Sequence, residues 1–389
     1  MISSADIKSF ARQSGFDAVG IVPASPLPEA EAKFQNWIEA GFHGGMKYLE
    51  DYASRKKELE REIPGAKSII VLGVNYFTAG SAAEEKPDSA AALTGRVARY
   101  AWGKDYHIVV RERLQAVEDF IRTRVPRVQC LSCVDTRPVF ERGYAEQAGL
   151  GFRGKHTNLL SREFGPWLFL SEIITDLELS PDSPRDHGSC GTCTDCIDIC
   201  PTQAIVAPGK INARKCIAYL TIEHKGVIPR EIRPLMGDWV FGCDACLNTC
   251  PFTHFSKETT WKELKPESGA GRSLDLIALF EIKTNGEYEA RFRGTPLLRA
   301  TRKMMIRNAA IVLGNRKDES AVPVLARALK EEVALVRLHA AWALGRIGGH
   351  QVIKALQDQL LSETDLEVRQ EIDDALTCVC PVDSAQTAT

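Results

Sequence analysis

Eight cysteines in two runs carry the most specific chemistry in the sequence. The first run is Cys190-x2-Cys193-x2-Cys196-x3-Cys200-Pro201, and the second is Cys243-x2-Cys246-x3-Cys250-Pro251. Two-residue gaps let successive thiolates wrap a small iron–sulfur cube, and in the bacterial ferredoxin arrangement the fourth cysteine of a run ligates the other cube. The second run lacks its leading cysteine, with Val240 in that place, yet a cube still needs four ligands. Cys216 is the isolated cysteine nearby that can complete it. The spacing therefore predicts Cys190, Cys193, Cys196 and Cys250 on one [4Fe–4S] cluster, and Cys200, Cys216, Cys243 and Cys246 on the other. Structural zinc usually takes paired C-x2-C knuckles, and disulfides belong to oxidising compartments; both fit this pattern less well.

Four cysteines remain. Cys130 and Cys133 fall in an expected strand, where an odd spacing sends them to opposite faces as core residues. Cys378 and Cys380 lie in the C-terminal tail without an assigned role.

Clusters relay single electrons and cannot alone activate a stable C–O, C–N or C–halogen bond, so a second cofactor or a substrate pocket is implied. The stretch Val134-Asp135-Thr136-Arg137-Pro138-Val139-Phe140-Glu141-Arg142 ends an expected strand with an acid, followed by two arginines and a second acid. Asp135 is a candidate general acid and Arg142 a candidate anion ligand or orienting partner; a surface ion-pair network is the alternative. Residues 151–158, Gly-Phe-Arg-Gly-Lys-His-Thr-Asn, offer either a polar cofactor lining or a plain loop. No G-x-G-x-x-G follows a strand, and no Walker lysine motif is present. Between 290 and 317 stand Arg291, Arg293, Arg299, Arg302, Lys303, Arg307, Arg316 and Lys317 without one acid. That run is either a phosphate-backbone footprint or a solvated helix face.

These residues need a scaffold. The chain has 389 residues, 44% hydrophobic and 26% charged, with a formal net charge of −2. Such a length supports two or three domains, and the balance excludes disorder, collagen-like repeats and a uniformly basic coat. No apolar run approaches the roughly 18–20 residues that cross a bilayer, and the opening MISSADIKSFARQSG lacks the apolar core of a secretory signal. The expected location is cytoplasmic, with no membrane partner and with reduced thiols available to metals. Helical periodicity marks residues 7–13, 29–40 and 106–125, and β-rich runs mark 18–22, 68–76, 128–134 and 167–175. This alternation predicts an α/β or α+β domain over 1–180. A cysteine-rich, ferredoxin-like domain is expected over 181–260. An all-α domain of HEAT-like helix pairs follows over 261–389, with repeat starts at Ile306, Val336 and Val368.

The segments GFDAVGI, PGAKSIIVLGVNYF, RVARYAWGKDYH, VDTRPVFERGYAEQAGLGFRGKHTNLL, CIAYLTIEHKG and FGCDACLNTCP join the double cysteine motif and the C-terminal repeats in one pattern. Over nearly its whole length the chain resembles the epoxyqueuosine reductase family; the cysteine motif alone is shared with ferredoxins and reductive dehalogenases. The resemblance implies a two-electron reduction with loss of water, turning the epoxide of epoxyqueuosine into the cyclopentene of queuosine at the tRNA wobble position. It implies cobalamin, as cob(II)alamin, between the N-terminal and cluster domains, reduced through the two clusters. A monomer served by an external low-potential electron donor is expected. Asp135 matches the family's proton donor. Arg55, Asp135, Arg142, Lys155, His156, Asn158 and Thr221 match segments that line the cobalamin or substrate pocket. Lys225, with Arg291, Arg293, Arg299, Arg302, Lys303 and Arg307, is expected to bind tRNA. His156 stands where the family commonly has asparagine, and Pro251-Phe252-Thr253 where many members have Pro-Trp-Asn.

Overall fold

The computed structural model describes residues 2–55, 63–80, 93–183 and 188–379. The first helix, Ser4–Gln13, begins at a capping box. Ser3 Oγ accepts from the Asp6 backbone N–H at 3.1 Å, and the Asp6 carboxylate accepts from the Ser3 N–H at 3.0 Å. Two donors that a helix start leaves bare are thereby satisfied. The central sheet is antiparallel, in the order Ala18–Pro23, Ser68–Asn75, Leu168–Thr175, Cys130–Cys133. Strand Ser68–Asn75 is buried along its whole length because both faces are covered. Its alternation sends Ile70, Leu72 and Val74 under helices Ser4–Gln13 and Tyr106–Arg124. Ile69 and Val71 point the other way, under helix Glu141–Gln147. Cys130 and Cys133 obey the same rule, one packing on each face.

A second sheet lies outside what the sequence pattern predicts. Strand Thr94–Val97 sits between Trp239–Phe241, which is parallel to it, and Ser273–Asp275, which is antiparallel. Around it, Leu93, Val97, Ala101 and Trp102 join the core of the C-terminal helices. Trp261 and Leu264 do the reverse and pack into the N-terminal core, where Trp261 Nε1 donates to the Gly15 carbonyl at 2.9 Å. The expected boundaries at 180 and 260 mark changes of pattern, but the hydrophobic cores cross them.

The repeats are helical pairs, as expected. Helices Arg302–Arg316, Ala334–Ile347 and Leu366–Val379 stack in sequence, with Val322–Ala328 and His350–Leu360 as the second members. Glycine permits the close approach: a Cβ on Gly314 would stand 2.9 Å from the Ala343 Cα, and one on Gly345 would stand 2.9 Å from the Ala375 Cα. An arginine near each repeat start ties it to neighbouring chain. Arg337 grips Glu363 through Nε and Nη2 at 2.7 and 2.8 Å, and Arg369 Nη1 donates to the Leu360 and Glu363 carbonyls.

Candidate functional site

The two cysteine runs fold alike. In each, a one-turn helix carries the penultimate cysteine, Asp195–Asp198 for Cys196 and Ala245–Asn248 for Cys246, and the two helices pack together. Proline follows the last cysteine of each run and turns the chain away. The thiols then sort into two groups. Cys250 lies within electrostatic reach of Cys190, Cys193 and Cys196. Cys243 and Cys246 lie within reach of Cys216 and Cys200. The fold thus brings together the two crossed sets that the spacing predicts, including the upstream Cys216.

Chemically, both sets suit a positively charged guest. Burial, then the neighbouring sulfurs, pushes the Cys246 thiol far above its usual range, and burial pushes Cys243 up likewise. Cys250 is pushed up to about 11, first by burial. Bound iron reverses this penalty, because metal ligation favours thiolates outright.

The sets differ in depth. Gly191, Thr192, Thr194 and Asp195 around the first are exposed. Phe241, Gly242 and Asp244 around the second are buried. Beside the second set lies a chain of rings. Tyr100 stands 6.1 Å from Phe241 and 6.3 Å from Tyr106, measured between ring centroids. The Tyr106 hydroxyl donates to Asp135 Oδ2 at 2.8 Å. Asp135 follows strand Cys130–Cys133 in a left-handed conformation (φ 49°), and its backbone N–H donates to Glu141 Oε1 at 2.9 Å. Tyr48, 39% exposed, feels the charges of Glu223, Arg299 and Asp135, which places it at the mouth of this region. A carboxyl group is therefore held a few rings from the deeper cysteine set. Sequence reading does not single out Tyr106 or Tyr48; the Asp105-Tyr106-His107 start of a helix is the one local signal for Tyr106.

The other pocket candidates divide. Arg142 is exposed on helix Glu141–Gln147, and its charge reaches His156. His156 is buried; its Nδ1 accepts from the Asn158 backbone N–H at 3.2 Å, while Nε2 has no hydrogen-bond partner among the described residues. Burial, aided by Arg142, pulls its pKa down to about 4, so the ring is neutral with its proton on the unpartnered Nε2. Arg55 ends helix Tyr48–Arg55, and its side chain lies outside the described residues; Cys380 also lies outside them. Two further candidates are engaged within the fold. Lys155 Nζ donates to the Gly191 and Cys193 carbonyls, both at 2.8 Å, so its ammonium ties down the first cysteine loop. Thr221 is fully buried, its hydroxyl donating to the Ile217 carbonyl at 2.8 Å and accepting from the Gly242 N–H at 2.9 Å, and is bound within the fold.

The basic run is also sorted by burial. Arg307 is fully buried, and its guanidinium donates to the carbonyls of Leu220, His224 and Gly226. Arg302 is buried against Glu331 at 2.7 Å and the Ile282 carbonyl at 2.6 Å. Both expectations of RNA contact are thus corrected: these cations hold the helical region together. Lys225, Arg291, Arg293, Arg299 and Lys303 are exposed. Lys225 and Lys303, far apart in sequence, line one groove of about 210 Å³. Arg299 pairs with Glu223 at 2.7 Å at the mouth beside Tyr48. A neighbouring groove of about 390 Å³, lined by Arg230, Leu366, Glu371 and Asp374, holds none of the cysteines or Asp135 and is set apart from this chemistry.

Comparison with known proteins agrees in all three regions. Residues 57–136 match a family model described as "Epoxyqueuosine reductase QueG, DUF1730". Residues 189–253 match a 4Fe-4S double cluster binding domain, and residues 295–377 match HEAT repeats. The chain is 41% identical to an epoxyqueuosine reductase of Pseudomonas aeruginosa, over 88% of this chain and 94% of that protein. It is 36% identical to the epoxyqueuosine reductase of Escherichia coli, over 87% and 88%. Among solved structures, an epoxyqueuosine reductase with an epoxyqueuosine-modified tRNA stem loop superimposes with a TM-score of 0.88 at 30% identity, covering 96% of this chain and 98% of the other. A Bacillus subtilis epoxyqueuosine reductase with its catalytic aspartate loop swung out of the active site gives 0.89 at 30% identity, covering 97% and 98%.

Proposed function

The chain belongs to the epoxyqueuosine reductase family, and from that premise we propose that it reduces epoxyqueuosine in tRNA to queuosine, with Asp135 as the proton donor. The balanced change is epoxide plus two electrons and two protons, giving alkene and water. The observation that carries this reading is the placement of Asp135 beside the deeper cysteine set, across Tyr106 and Tyr100.

Cys190, Cys193, Cys196 and Cys250 would hold one [4Fe–4S] cluster, and Cys200, Cys216, Cys243 and Cys246 the other, and these would supply single electrons. The first set opens on exposed loops, where an external low-potential donor can reach it; the second lies deep. Cobalamin, when bound, supplies a strongly reduced cobalt for the substrate carbon. The fit rests on His156: its buried, unpartnered Nε2 offers a hydrogen bond that suits an amide oxygen of the corrin periphery, with Asn158 and Arg142 nearby. Asp135 gives its proton to the oxygen that leaves the substrate. Lys225 and Lys303 in their groove, with exposed Arg291, Arg293 and Arg299, hold the tRNA backbone. The units 1–180, 181–260 and 261–389 serve as the cofactor, cluster and tRNA-binding regions.

The test is anaerobic turnover. Protein reconstituted with iron, sulfide and cobalamin, given a low-potential reductant, should convert epoxyqueuosine-tRNA to queuosine-tRNA. Fully loaded protein that yields no queuosine would refute the proposal.

A further inference from the structure

The carboxylate of Asp135 receives one side-chain hydrogen bond among the described residues, from Tyr106. In its loop, Asp135 has a left-handed conformation, which an aspartate adopts at a cost, and the Glu141 carboxylate accepts its backbone N–H. The Tyr106 bond reaches Asp135 from outside this loop and adds to what fixes its carboxylate. Tyr106 is well built for that task. It sits in the first turn of helix Tyr106–Arg124, behind the Asp105 cap that accepts from the His107 N–H at 3.0 Å. Its ring lies parallel to Phe169, 4.2 Å away with 5° between planes, and stacks on His107 at 4.1 Å. Phe169 belongs to the central sheet, so the hydroxyl is aimed from rigid ground.

We propose that Tyr106 is the positioning residue for proton transfer, its hydroxyl latching the Asp135 loop inward and fixing Oδ2 as the acceptor so that Oδ1 carries the proton to the substrate. The proposal rests on the reductase reading for its chemistry, but the latch itself does not. In the transfer the O–H bond of the Asp135 carboxyl breaks and a new O–H bond forms on the leaving oxygen. Tyr106 keeps its own proton throughout. Burial, then the adjacent Asp135 charge, pushes the phenol far above its usual range, so it remains a donor at working pH. Its bond strengthens as Asp135 becomes charged, which helps the step that leaves the carboxylate behind.

Tyr106→Phe keeps the stacked ring and removes only the hydroxyl. In holoenzyme, the variant should lose roughly 10–100-fold in kcat with KM for the tRNA stem loop within about twofold. Amide hydrogen exchange over residues 134–137 should quicken by roughly tenfold or more, with cluster absorbance and melting temperature unchanged. In an Asp135→Asn background the same substitution should cost no further turnover, since the two residues act as one unit. Unchanged exchange over residues 134–137 would overturn the latch whether or not the wild type reduces epoxyqueuosine. Unchanged kcat in an active enzyme, or full additivity with Asp135→Asn, would overturn its positioning role.

Discussion

At the scale of single residues, chemistry separates groups that neighbours in sequence would lump together. Asp135→Asn keeps the shape and the Tyr106 contact but removes the transferable proton. Turnover should fall roughly 10²–10⁴-fold while cobalamin and cluster spectra stay intact, read by single-turnover assay beside absorbance. His156 gives a different readout. Its folded pKa, about 4, lies below the ordinary value of 6.5, so the unfolded chain takes up the proton first as pH falls. The stability tied to its neutral ring is present above pH 6.5 and is lost as pH drops through about 4, amounting to about 3 kcal/mol. His156→Asn should flatten this part of the acid slope, measured as the urea midpoint at pH 7 and pH 5. An equal slope in variant and wild type would show that the ring is not held neutral. The grouping of the cysteines was the most legible feature, because their spacing is local. Tyr106 was not, because its partner lies 29 residues away and meets it only through helix-on-sheet packing.

At the scale of elements, the helix Arg302–Arg316 shows how composition misleads. Its sequence is basic, and a basic helix is normally read as a solvated or phosphate-facing surface. In the fold it is the first member of a helix pair, buried on nearly every side, and its arginines meet carbonyl oxygens. All-round burial leaves no amphipathic stripe to announce which cations face inward. The two classes of cation should therefore part company on mutation. Arg307→Ala leaves three carbonyls without their donor and should destabilise the protein by on the order of 3 kcal/mol or more. Lys225→Ala and Lys303→Ala should leave the melting temperature unchanged and weaken tRNA binding, each lowering the slope of log K against log salt by up to about 0.9. A loss of affinity from these lysines that did not depend on salt would remove them from the phosphate contact. The strand Thr94–Val97 was missed for a related reason: it is short, and its partners come from far downstream.

At the scale of the whole molecule, the cores that cross residues 180 and 260 lock the two crossed cysteine sets to the sheet that carries Asp135. The helix Ala245–Asn248 contributes Leu247 to the N-terminal core, and Cys246 packs against that core. The α/β pattern, the cysteine domain and the repeats were all legible because each has its own periodicity. Their interleaving was not, because it is made by short segments exchanged between regions. Cys216 tests the crossed assignment: Cys216→Ser should lower bound iron from about eight toward about four per chain and leave the first set loaded. Equal iron in variant and wild type would exclude Cys216 as a ligand. The most direct test of the central claim is the nucleoside itself. Anaerobic, reconstituted protein and a low-potential reductant are given epoxyqueuosine-modified anticodon stem loop, and the digested RNA is weighed by mass spectrometry. The predicted result is loss of one oxygen atom from the modified base, dependent on cobalamin and on Asp135. A base that keeps its oxygen in the presence of fully loaded protein would contradict it.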